Sequence, residues 1–249
     1  MKEAAAKMED NLEIWVFCDY RHHPHDRLTF QVIGLARHLS AERGRVTGVL
    51  LGHGVDGIAR EYISHGAQRV LLVDDPELAR YRTDLYTAIT CDLVQAHRPD
   101  IFLLGANQFG KELAARVSKR LGVGLCAECI FLEWEREGGR LIASSSAFGG
   151  DYLARIAWSE HRPSMATVSP GSFRERSPEE NGLGEIVRVE KGFRNRAGDI
   201  RIISSVRETH QSSKLEKARV VVAGGRGMRS SEGFHHIREL ALLLGGEVG

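Results

Sequence analysis

Four short apolar runs, each followed by a stretch of helical periodicity, set the tightest limit on how this chain can fold. "LEIWVF" (12–17), "VTGVLLG" (46–52), "RVLLVDD" (69–75) and "IFLLGA" (101–106) are rich in β-formers and bounded by turn residues, which predicts buried strands. Between and after them the period lengthens. Leu28, Val32, Leu35 and Leu39 recur at helical spacing, with Asp26 as the expected N-cap and Gly44 beyond the end. A second helix is expected over about 56–65, closed by Gly66, and a third over 82–97, where Pro99 blocks continuation. A fourth starts near 110, with Leu113, Val117 and Leu121 on one face. Strands that are apolar throughout, alternating with amphipathic helices, require a parallel sheet covered on both faces. The expected class is therefore α/β and Rossmann-like, a mostly parallel sheet flanked by helices.

After about residue 123 the pattern turns to β. "GVGLCAECIFLEW", "GRLIASSSAF", "DYLARIAWS" and "PSMATVS" are strand-like, separated by turn signals at Glu137-Gly138-Gly139 and Gly149-Gly150-Asp151. Residues 171–217 are polar and turn-rich, with possible strands at 185–190 and 200–206. "ETHQSSKLEK" has a linker's composition, so a main domain over 8–208, a linker over 209–217 and a second element over 218–249 are expected. Residues 1–7, "MKEAAAK", have the composition of a helical spacer and are set aside as a tag, with Met8 as a second start.

Charge bears on partners. With 34 basic and 33 acidic residues there is no electrostatic case for nucleic acid or an anionic membrane. No apolar run approaches the roughly 20 residues that span a bilayer, and the start lacks the apolar core of a secretory signal, so no membrane insertion and a cytoplasmic location are expected. Four scattered cysteines, Cys18, Cys91, Cys126 and Cys129, do not make a disulfide framework and are read as reduced.

The stretch with the most chemical content is "GGRG", Gly224, Gly225, Arg226 and Gly227, between the run Val220–Val222 and a helix whose Phe234, Ile237, Leu240, Ala241 and Leu244 share one face. Glycines at such a turn let backbone N–H groups approach a pyrophosphate, and an arginine adds a two-pronged donor. The spacing Gly225-x-Gly227-x-x-Ser230 falls one residue short of the dinucleotide fingerprint, so a merely tight strand-to-helix turn is the competing reading. "HHPH" (22–25) lacks the further ligands of a tetrahedral metal site and is read as a solvated loop. "CAEC" (126–129) resembles a redox pair, but strand positions i and i+3 point to opposite faces, which predicts two structural cysteines. Asn107-Gln108, at the carboxyl end of a strand, is either a ligand loop or an ordinary turn with Lys111 as a surface charge. The loop after the first strand, "CDYRHHPHD", holds no glycine for a nucleotide to approach, and no hydrolase elbow or catalytic residue stands out.

Together, "LLGANQFGKELAARVSKRLGVGLCAEC", "RPSMATVSPGSF" and "ARVVVAGGRGMRSSEGFHHIRELALLLGGEVG" resemble the α subunit of electron transfer flavoproteins, including the FixB type, in order from about Leu12 to Gly249. The resemblance implies an N-terminal α/β domain that pairs with a β subunit and a C-terminal domain that holds FAD, with Gly224, Gly225, Arg226 and Gly227 as the FAD-binding positions. It implies an electron carrier that accepts from dehydrogenases and donates to a quinone reductase or related acceptor, the flavin supplying the redox chemistry. Against the family's pattern, the loops expected after Gly249 are absent, so 218–249 is expected to be the start of a second α/β domain, an incomplete FAD-binding domain unable to hold FAD alone. The alternatives are a nucleotide-binding α/β protein and a docking-only interaction module.

Overall fold

The computed structural model describes residues 12–21, 27–40, 44–135, 138–158, 161–179, 182–190, 200–204, 215 and 218–249. They form two compact units, divided between Arg201 and Ile202.

The first unit begins as the sequence predicts. β1 (Glu13–Phe17), α1 (Leu28–Ser40), β2 (Arg45–Gly52), α2 (Asp56–Ser64), β3 (Arg69–Asp74), α3 (Thr83–His97), β4 (Ile101–Gly105) and α4 (Gln108–Leu121) follow one another. All four strands pair in parallel, in the order β4-β1-β2-β3. Alternate strand residues divide between two apolar clusters because side chains leave a strand on opposite faces. Ile14, Val16, Leu50 and Leu72 pack with α1 and α2, while Trp15, Phe17, Leu51 and Val73 pack with α3 and α4. Both faces are thus covered, which is why these strands are apolar at every position.

Side chains at the amino ends of the strands hold the register. The Glu13 carboxylate accepts from Thr47 Oγ1 at 2.6 Å, Arg69 at 2.8 Å, Arg45 at 2.8 Å and Trp15 Nε1 at 3.1 Å. Glu13 stands opposite Arg45, and Thr47 opposite Arg69, so one carboxylate ties three strands at one level.

Beyond α4 the sheet continues in a way the linear order does not suggest. β5 (Leu125–Glu135) pairs in parallel with β8 (Ser164–Val168), which lies between β5 and β4. The outer half of β5 turns antiparallel partners to β6 (Arg140–Ala147), and β6 to β7 (Tyr152–Ala157). These three strands form an apron in which every residue of β7 is exposed. The polar stretch from 169 onward returns over α1 and α2: Gly171 N–H donates to Gln31 Oε1 at 2.9 Å, Glu175 pairs with Arg27, and Glu179 N–H donates to the Ser64 carbonyl at 2.9 Å. It ends as β9 (Glu185–Arg188), parallel to β3, the opposite edge of a nine-stranded sheet. Of the two possible late strands, β9 forms; residues 200–204 do not adopt strand structure, and 205–206 lie outside the described residues.

The second unit is one small β-α-β turn: β10 (Val221–Val222), α5 (Gly233–Leu243) and β11 (Glu247–Val248), the two strands parallel. The sequence predicted one strand and one helix here, and the structure adds β11. Among its described residues Ala241 alone is buried, while Leu240, Leu242, Leu243 and Leu244 of this unit are exposed. The expected spacer at 1–7, Met8, the Asp26 cap, the 22–25 histidines and, apart from Leu215, the 209–217 linker lie outside the described residues.

Candidate functional site

The Gly-Gly-Arg-Gly turn connects β10 to a short 3-10 turn, Arg226–Met228, that precedes α5. Gly224 has a packing reason to be glycine: a Cβ there would meet Met228, Phe234 and Ile237 at 3.2–3.3 Å. Gly225 and Gly227 have none. An added Cβ meets nothing within 4 Å at either, and neither φ is positive; Gly225 sits in extended backbone at φ −121°, ψ −167°. The fold itself therefore does not call for glycine at these two positions, and bare backbone there leaves room for an occupant to approach. The N–H groups of Gly225, Arg226 and Gly227 have no acceptor among the described residues, and the Arg226 guanidinium, which is exposed, has no partner among them either. Arg229 ends the turn at φ 60°, a left-handed conformation that costs a non-glycine residue about 1 kcal/mol or more. Three free backbone donors, a free guanidinium and bare glycine surface suit a pyrophosphate.

The place where a doubly wound sheet usually takes its ligand is different in character. Strand order reverses between β1 and β4, so the crevice at their carboxyl ends is the expected binding position. Here the chain's own side chains fill it. Asp19, after β1, receives Arg21 Nε at 2.6 Å, a second Arg21 nitrogen at 2.7 Å and Asn107 Nδ2 at 2.9 Å. The Arg21 guanidinium lies over the rings of Phe109 at 3.9 Å and Tyr81 at 4.5 Å, a cation between two π faces. Burial alone would raise the Asp19 carboxyl, but the Arg21 pair and the Asn107 amide overcome it and hold the group below the ordinary range. Asn107 spends its other side-chain atom as the cap of α4, accepting from Gly110 N–H at 2.8 Å. Both side-chain groups of Asn107 are thus engaged within the chain, and Lys111 pairs with Glu128 at 2.8 Å. Sequence reasoning missed this plug, because Asp19, Tyr81 and Phe109 are remote in the chain and carry no shared motif.

One expectation is corrected. Cys126 and Cys129 do not face opposite ways. β5 advances from Cys126 to Cys129 while β8 advances only from Ala166 to Val168, so one extra residue is inserted. Glu128 absorbs it at φ 54°, its N–H donating to Thr167 Oγ1 at 2.8 Å. The bulge resets the alternation, and both thiols are buried in the same cluster.

No group of three or more His, Cys, Asp or Glu is placed to hold a metal ion among the described residues, and none of their helices is long and apolar enough to cross a membrane. On the apron, Phe148, Tyr152 and Leu153 are 83%, 67% and 65% exposed, with Phe131, Ile130 and Ile156 beside them. That is an uncovered apolar surface on a sheet edge, of the kind partners cover.

Comparison with known proteins agrees with this division. A family model described as the electron transfer flavoprotein domain matches residues 14–192, and one described as the electron transfer flavoprotein FAD-binding domain matches 214–249. The chain is 37% identical over 236 residues to Protein FixB of Clostridium saccharobutylicum, covering 94% of this chain and 70% of that one. It is 37% identical over 239 residues to the electron transfer flavoprotein subunit alpha of Clostridium acetobutylicum, covering 94% and 71%. The acryloyl-CoA reductase electron transfer subunit beta of Anaerotignum propionicum is 33% identical over 241 residues, covering 87% and 66%.

Proposed function

Because the chain belongs to the electron transfer flavoprotein family, as an α-type electron transfer subunit, we propose that Gly224, Gly225, Arg226 and Gly227 hold the pyrophosphate of its FAD. We propose also that the β5–β7 apron is where a β subunit docks. FAD is the family's cofactor and supplies reversible electron uptake when bound. The chain's part would be to position it: the three N–H groups without an acceptor among the described residues would donate to the anionic bridge, Arg226 would add a charge-assisted pair, and the side-chain-free surface of Gly225 and Gly227 would allow close approach.

The observation that carries this reading is the pair of glycines at 225 and 227, for which the protein's own packing gives no reason. Within it the protein is an electron carrier rather than a catalyst, accepting from a dehydrogenase and donating to a quinone reductase or related acceptor in the cytoplasm, with 218–249 as part of the FAD-binding domain. The nucleotide-binding alternative finds no support in a crevice plugged by Asp19, Arg21 and Asn107.

The test is Gly225→Val. Extended backbone accommodates a β-branched residue, so the unfolding free energy should stay within about 1 kcal/mol of the parent. Visible flavin absorbance of the chain copurified with its β subunit should fall at least about tenfold, the equivalent of about 1.4 kcal/mol. Arg226→Ala should lower it in the same direction. Undiminished flavin in both variants would remove the turn from the cofactor site.

A further inference from the structure

The bulge in β5 does more than bend a strand. A Cys-x-x-Cys sequence in regular β structure separates its thiols across the sheet. Here Glu128, held left-handed, resets the alternation: both thiols lie in one buried cluster, and Cys129 Sγ donates to the Cys126 carbonyl at 3.6 Å. Cys126 and Cys129 are 1% and 0% exposed. Neighbouring groups hold the bulge in place, with Ser145 Oγ donating to the Ala127 carbonyl at 2.8 Å and Thr167 Oγ1 accepting from Glu128 N–H.

We propose that Cys126 and Cys129 are a redox-active dithiol that closes to an intramolecular disulfide with hydrogen peroxide as the oxidant. The two sulfurs are not equivalent. Interaction with Cys129 lowers the Cys126 pKa and favours its thiolate, while the same interaction and burial raise the pKa of Cys129 and keep its proton on. Cys126 is therefore the attacking group. Its thiolate bonds to one peroxide oxygen, the O–O bond breaks, and the departing hydroxide takes up the displaced thiol proton as water, leaving a sulfenic acid at Cys126. Cys129 sulfur then attacks Cys126 sulfur, the S–O bond breaks, and the second oxygen leaves as water with the Cys129 proton. Two thiols and one peroxide become one disulfide and two waters, the cysteines oxidised and the peroxide reduced. Burial selects the oxidant: the enclosed thiols suit a small oxidant and exclude a bulky disulfide such as oxidised glutathione.

The full chain exposed briefly to peroxide, quenched with an alkylating reagent and mapped by mass spectrometry, provides the test. The peptide bearing both residues should lose two hydrogens and resist alkylation until reduced, while Cys18 and Cys91, buried elsewhere in the two clusters, are still alkylated after denaturation. Oxidised glutathione at the same concentration should leave all four thiols. Cys129→Ser should stop at a sulfenic acid on Cys126 that dimedone captures; Cys126→Ser should give neither product. The proposal is overturned if the wild-type peptide stays reduced, if Cys18 or Cys91 oxidises at the same rate, or if dimedone marks position 129 instead.

Discussion

A carboxylate as enclosed as Asp19 needs compensation, and its surroundings supply it in full: a bidentate guanidinium, an amide, and two rings that keep the guanidinium from water. Breaking such a pair leaves an uncompensated charge, so Asp19→Asn should cost about 2–4 kcal/mol at neutral pH. The sign of the pH dependence follows. The folded carboxyl has a depressed pKa, so its stabilisation is complete above the unfolded value, near about 3.9, and is lost as pH falls through the lower folded value. Urea unfolding of parent and variant should therefore differ at neutral pH and converge below about pH 4. A constant gap down to the acid limit would mean that the carboxylate charge is not what Arg21 holds. Nothing local in "CDYRHHPHD" discloses this.

Elements were largely legible, and their neighbours were not. Period-two and period-3.6 patterns placed β1 to β4 and their helices within a few residues, because each strand is buried on both faces and each helix on one. The insertion of β8 between β4 and β5 depends on pairings remote in sequence, for which the chain carries no local mark. The β5 bulge was hidden for a different reason: it requires a positive φ at Glu128, a residue type that does not announce one. At the amino edge of the sheet, the Glu13 carboxylate joins three strands. Glu13→Ala should lower the urea midpoint by the equivalent of about 2–4 kcal/mol, since it removes the carboxylate that largely enclosed Arg69 and fully buried Thr47 donate to. Glu13→Gln, keeping hydrogen bonds but not charge, should fall between. Equal stability of Glu13→Ala and the parent would show that strand packing sets the register unaided.

For the whole molecule, under the proposed function the apron would meet a partner and the glycine turn would hold a cofactor. The turn could be singled out from sequence because its four residues are consecutive. The apron could not, since Phe131, Phe148 and Leu153 read as ordinary strand hydrophobics until the fold leaves them without a covering helix. Leu153→Asp should change the chain's own stability by no more than about 0.5 kcal/mol, yet weaken pairing with the β subunit about tenfold or more by titration calorimetry. Unaltered affinity would move the docking surface elsewhere. One consequence concerns supply rather than affinity. Among the described residues β7 ends the sheet with an unpaired backbone edge and greasy side chains around it, so copies made without companions can zip to one another through that edge. A host would then need to produce the two polypeptides in step, and surplus of this one should go to inclusion bodies.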